Sequence, residues 1–348
     1  MEFLIYIIIY FSAIFFCFKN SFLNKRLFFV FWFLIGMWLS ITVRLETDYF
    51  TQSDFSALTS LMMTESQDLL LYFYREFIFI FSIQYLYKLT ENPAYVFIIC
   101  DSIFYIAFFK SISLVLKGLF PNYNTHKSYY IYFSFLLFFP IVLGFHNMYR
   151  QMFANAFAMV SFGYLLNNKN FKSIISFVVS FFIHNSTVFF LPIILFSIKG
   201  FKSKALSLIL TLAIVFLNIT IAETTNEFLS RDLLTNEEGY KITLMYIFGI
   251  AFITLFTFLT ERYFRRIEKI KLSKLFFLIL IIYLSSTIGF SSGVSQRVAF
   301  WAYFLVYPII LIYSESFFKQ KLFLKFMFIN ITVLPLIFIH NSSIPLPF

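Results

Sequence analysis

The residues of this chain most able to do chemistry are a few arginines, one histidine and a few carboxylates set in or beside long apolar runs. A charge in such a run is costly, so it is kept where it binds, catalyses or pairs. Arg150 opens an apolar run in Phe145-His146-Asn147-Met148-Tyr149-Arg150-Gln151. A guanidinium at a helix start adds its fork to free backbone N–H groups, which suits a phosphate or diphosphate. His184, in Phe182-Ile183-His184-Asn185-Ser186, can act as a general base or donate to a sugar hydroxyl. Arg297 stands in the polar turn Ser291-Ser292-Gly293-Val294-Ser295-Gln296-Arg297, and Arg44 is followed by Asp48 and Tyr49. A carboxylate there can be a catalytic base or the partner of Arg44. Arg75 with Glu76 poses the same choice, and Arg231 with Tyr240 can touch a polar substrate. Each residue has a plain alternative: an interfacial anchor, a structural ion pair, or a satisfied core histidine.

Helices must position these groups. Apolar segments recur at roughly 3–18, 27–43, 71–87, 94–116, 129–145, 151–166, 171–198, 205–221, 242–260, 275–290, 298–313 and 326–340, and about 20 apolar residues span a bilayer as a helix. Runs such as Ile5–Phe18 do not alternate as β-barrel strands do. The expected fold is all-α: a polytopic integral membrane protein of about 10–12 membrane segments, some re-entrant or half-helical. It is expected to form one transmembrane domain over 1–348, with acidic external loops at about 44–70 and 223–241. Clusters such as Lys25-Arg26 and Arg262, Arg265 and Arg266 read as cytoplasmic.

Two places resist a simple count. Charge puts 44–70 and Arg150 on one side, yet counting 71–87, 94–116 and 129–145 as full spans separates them. The repair is a segment between 44 and 93 that enters the membrane without crossing, and 71–87 with Arg75 and Glu76 suits a half-helix. Segment 171–198 is too short for two crossings although Lys172 and Lys199 flank it. A broken pair of short helices centred on His184 follows.

Composition narrows the function. The chain of 348 residues is 60% hydrophobic and 13% charged, too little charge for the surface of a soluble fold. The net charge of +10 reads as a positive-inside bias and calls for no nucleic acid. Cys17 and Cys100 lie in apolar segments as small core residues. The four histidines lack metal-ligand spacing, and no phosphate-cradling glycine loop occurs. No cofactor or metal is expected, and a nucleotide-hydrolysing or nucleotide-sugar enzyme is disfavoured. Glu2 replaces the basic start of a cleaved signal. Clustered aromatics such as Tyr72, Phe73, Tyr74, Tyr129, Tyr130 and Tyr132 can stack on sugars or fill an interface belt.

The run Asn147-Met148-Tyr149-Arg150-Gln151, with Ala154 following, resembles the N-x-x-R-Q-x-x-A signature of the EpsG/Wzy-type polysaccharide polymerases. So do Tyr164-Leu165-Leu166, the basic turn at Lys169 and Lys172, and Phe182-Ile183-His184-Asn185-Ser186. Arg44 before Asp48-Tyr49, and the late Arg297 before an aromatic run, also fit. The first loop lacks the glycine usual near the Asp-Tyr pair. The resemblance implies an O-antigen-type polymerase in the bacterial inner membrane, its active site facing the periplasm. It would move a growing glycan from undecaprenyl diphosphate to the non-reducing end of a lipid-linked repeat unit. The implied partners are undecaprenyl-diphosphate-linked oligosaccharides, membrane lipid and a chain-length regulator.

In that reaction an acceptor hydroxyl attacks the anomeric carbon while the lipid diphosphate departs, and cations must meet the developing charge. Arg150 and Arg297 are expected there, with Arg44 or Arg75 on the second lipid's diphosphate. His184, Asp48 or Glu76 would be the base, and Asn147, Gln151, Tyr49 and Arg231 would contact substrate. A lipid-linked oligosaccharide flippase, an O-antigen ligase or related transferase, and a structural membrane subunit are the competing classes. A transporter usually shows inverted repeats, which this sequence does not display.

Overall fold

The computed structural model describes residues 2–18, 23–45, 53–63, 69–119, 121, 129–137, 149–198, 200–229, 237–264, 272–289 and, between 322 and 330, all but 324 and 328. Asp48, Tyr49, Asn147, Arg231 and Arg297 lie outside these residues, as do the candidate segment 298–313 and the part of 326–340 beyond 330. The described residues form helices and no strand. These are α1 (Glu2–Phe18), α2 (Lys25–Leu45), α3 (Ser53–Met63), α4 (Leu69–Thr90), α5 (Pro93–Leu119), α6 (Tyr129–Leu136), α7 (Tyr149–Leu166), α8 (Asn170–Ile183), α9 (Leu191–Ser197), α10 (Phe201–Leu229), α11 (Glu237–Phe264) and α12 (Leu272–Gly289), with a short 3-10 helix, Asn185–Phe190, between α8 and α9.

Local chemistry sets several of these boundaries. Asn24 caps α2, its Oδ1 accepting the Leu27 amide at 2.9 Å, a standard N-cap bond. Asn92 does the same for Ala94 at 2.9 Å, and Pro93 begins α5 where a missing N–H is harmless. Glu91, at φ 53, takes the left-handed conformation that turns α4 sharply into α5. By length and composition, α2 and α5 are long and apolar enough to cross a membrane. Shorter apolar helices include Phe3–Phe18, Asn170–Ile183, Ile247–Leu259 and Ser273–Ser285. Their outer faces stay apolar: Phe171 is 75% exposed and Phe248 69%.

Side-chain contacts fix the directions of the central helices. Along α2, Phe29 meets Phe109, Gly36 faces Tyr105, and Arg44 reaches Asp101, so α2 and α5 are antiparallel. Along α7, Tyr149 meets Phe97 while Leu166 meets Gly118, so α7 runs parallel to α5. Here the backbones touch. A Cβ added at Gly163 would sit 2.6 Å from Leu114 Cβ, and one at Gly118 2.4 Å from Leu166 Cβ. Helix α8 returns antiparallel to α7, Ser161 Oγ donating to the Ser173 carbonyl at 2.8 Å and Ser180 Oγ to that of Ala154 at 2.6 Å. The end of α2, the start of α7 and the end of α8 therefore share one end of the bundle.

This arrangement bears on the count that the sequence left open. Since α5 starts from the end where α2 finishes, the chain between them makes no net passage through the bundle. Helix α3 has 11 residues, about 17 Å, well short of a bilayer core. Helix α4 is interrupted by non-helical backbone at Glu76 (φ −146, ψ 39). The acidic stretch 223–241 differs from the expected loop: α10 runs on to Leu229 through Glu223 and Glu227, and α11 starts at Glu237. Glu and Ala are good helix formers, so the helix outlasts its apolar run.

Candidate functional site

Three of the predicted residues come together, and each sits where a helix starts or breaks. Glu76 lies at the interruption in α4, Arg150 is the second residue of α7, and His184 separates α8 from the 3-10 helix. Arg150 Nη1 donates to Glu76 Oε2 at 2.5 Å. His184 Nε2 stands 3.6 Å from Glu76 Oε1, at ion-pair range but beyond a hydrogen bond. Their side chains are 25% (Arg150), 13% (Glu76) and 19% (His184) exposed, so the cluster opens to the surface. Phe77 against Phe182, and Phe79 against Tyr149 and Phe153, hold α4 over α7 and α8.

The backbone selects the neutral tautomer of His184. Its own φ −156 and ψ 125 end α8, and its Nδ1 accepts the Ser186 amide at 3.1 Å as the cap of the 3-10 helix. An accepting Nδ1 places the ring proton on Nε2 in the neutral tautomer. The imidazole thus presents an N–H, and no lone pair, toward Glu76. Glu76 is acceptor-only when ionised, Arg150 is donor-only, and His184 is a donor on the side facing them.

A second ionic cluster lies beside the first and is sealed. Arg44 and Asp101 are both 0% exposed. Arg44 Nε donates to Asp101 Oδ2 at 2.9 Å, Ser40 Oγ to Oδ2 at 2.6 Å, and the Tyr149 hydroxyl to Oδ1 at 2.8 Å. The guanidinium lies 4.5 Å from the ring centroid of Phe55 and 5.0 Å from that of Tyr149, within cation–π range. Buried charges must be paired and hydrogen-bonded in this way to persist. Ser40 and Arg44, one turn apart on α2, reach the same carboxylate because positions i and i+4 share a helix face.

The expected roles map unevenly onto this geometry. Arg44 was expected at the mouth of an acidic loop, on a lipid diphosphate. Its guanidinium is enclosed by Asp101, Phe55 and Tyr149 and is 0% exposed. Gln151 is 3% exposed, buried on α7 beside Arg150. Arg75 precedes the interruption in α4, and Tyr240 lies in the first turn of α11. Asp101 was missed. It is the only carboxylate in α5, and its cost in an apolar helix was the signal that it had a partner.

The chain belongs to the EpsG family, whose sequence profile matches residues 27–346. That covers nearly the whole chain. Membership supports a polysaccharide polymerase-like function, and together with the apolar helices it points to a membrane protein. No curated protein and no solved structure matches the chain.

Proposed function

We propose that this protein is an integral membrane polysaccharide polymerase of the bacterial cytoplasmic membrane, with its site at the periplasmic face. It transfers a growing glycan from undecaprenyl diphosphate to the non-reducing end of a second lipid-linked repeat unit. The observation that carries this reading is the meeting of Arg150, in the first described turn of α7, with Glu76 and His184 at backbone breaks, all three partly exposed. Non-helical backbone at membrane depth is tolerated where it lines a cavity. The apolar outer faces of α8 and α10 suit lipid.

The chemistry follows from the donor and acceptor character of the three groups. The acceptor hydroxyl forms a bond to the anomeric carbon as the bond from that carbon to the lipid diphosphate breaks. Arg150, assisted by the start of α7, stabilises the charge left on the diphosphate. Glu76 takes the hydroxyl proton, being the acceptor among the three. His184, held as the Nε2–H tautomer, donates to a substrate oxygen and orients it. Arg297 and Asp48 stay candidates for a second cation and a second carboxylate, with Asn147, Tyr49, Arg75 and Arg231 as further substrate contacts. A chain-length regulator is a proposed partner.

The test is polymerisation by the purified protein on a synthetic undecaprenyl-diphosphate repeat unit, resolved as a ladder. Arg150→Ala is expected to lower the rate by ~100-fold or more. A wild-type protein that makes no ladder from several repeat units, yet moves the same lipid across vesicles, would be a flippase.

A further inference from the structure

Arg150 and Glu76 cannot perform their proposed roles while bound to each other. A guanidinium neutralised by a carboxylate at 2.5 Å is a poor anion receptor, and a carboxylate held by a guanidinium is a poor base. We propose that Glu76 is an internal stand-in for the substrate's diphosphate: it pairs with Arg150 and yields the guanidinium when the diphosphate arrives. The inference rests on the polymerase reading for the identity of the anion, but not for the exchange itself.

Three features make the exchange feasible. The pair is partly exposed, so an incoming anion can reach it, whereas Arg44 and Asp101 at 0% exposure are closed to any ligand. The backbone of Glu76 is already out of the helix, so its side chain can swing without breaking a regular turn. A second donor lies within reach of the carboxylate: His184 Nε2 stands 3.6 Å from Glu76 Oε1, near enough to steady Glu76 as it leaves Arg150, before the imidazole turns to a substrate oxygen. A diphosphate presents more acceptor oxygens and more charge than a carboxylate, and a guanidinium fork matches it. Displacement then does two things at once: it anchors the leaving group on Arg150 and frees Glu76 as the base. The base is released only when a substrate is present.

The experiment is titration calorimetry with inorganic pyrophosphate as the probe, on the full-length protein in nanodiscs. Glu76→Gln removes the competing charge and keeps the shape, and should bind pyrophosphate about tenfold tighter than wild type, within the usual range of coupling between sites. Glu76→Asp, whose carboxylate is one methylene further from Arg150, should show a smaller gain and serves if the glutamine variant does not fold. Adding Arg150→Gln should abolish the gain. Equal or weaker binding in the Glu76 variants, or a gain that survives without Arg150, overturns the proposal. Binding is read without turnover, so the two readings fail separately. Tighter binding in a protein that makes no ladder would sink the polymerase and keep the exchange. A ladder with unchanged affinities would do the reverse.

Discussion

The two arginine–carboxylate pairs at this end of the bundle use the same chemistry in opposite surroundings. Arg44 and Asp101 are wholly enclosed, bridged by Ser40 and Tyr149 and covered by Phe55. Arg150 and Glu76 sit partly exposed, Glu76 on interrupted backbone. Tyr149 and Arg150 are consecutive, so one turn of α7 feeds both. What separates a structural pair from a candidate reactive one is access: a sealed pair can only hold helices together, while an open pair can exchange its partner. The sealed pair also serves the open one. With the Tyr149 hydroxyl on Asp101, α7 is held at the rotation that points Arg150 toward Glu76.

The contrast can be broken at several points. Arg44→Ala or Asp101→Ala leaves one charge buried alone and should destabilise the fold by about 3–5 kcal/mol, seen as a lower melting temperature in detergent. Arg150→Ala should cost less than either, about 1–2 kcal/mol, because the pair is only partly buried. Equal losses in the two would erase the distinction drawn here. Replacing both sealed charges, Arg44→Met with Asp101→Leu, should recover all but roughly 1–2 kcal/mol of the loss, because an apolar pair can substitute for a buried ionic one. A double variant no better than the singles would mean that Tyr149 and Ser40 depend on the carboxylate itself. The smallest effect separates the two nitrogens of His184. His184→Ala loses the cap on Ser186 and should cost about 1 kcal/mol, while His184→Asn keeps an acceptor near Nδ1 and should melt close to wild type. Both lack the Nε2–H, so both should slow polymerisation.

How far the sequence reveals this arrangement depends on what each residue pays attention to. The start of α7 near Arg150 and the break at His184 are legible because a polar group interrupts an apolar run, and the backbone must respond locally. The disturbance at Arg75 and Glu76 is legible for the same reason. Asp101 is different. Its position is visible, but its partners lie 57 and 48 residues away in sequence, and nothing local distinguishes a carboxylate paired with Arg44 from one facing a substrate. The same gap hid the enclosure of Arg44, since Asp48 is its near neighbour in sequence and Asp101 is not. The lengths of α10 and α11 were obscured by acidic residues, which mark the end of an apolar run but are content in a helix.

Helical phase sets a final consequence. The far end of α7 is pinned where Gly163 meets Leu114, and its middle where Ser180 binds the Ala154 carbonyl. Tyr149 and Arg150 therefore inherit their headings from a fixed cylinder. One residue inserted between Gln151 and Ala154 would rotate both by about 100°, pulling the hydroxyl off Asp101 and the guanidinium off Glu76 in a single step. The first turn of α7 thus works as an indexed joint, whose two outputs cannot be retuned independently by changing chain length.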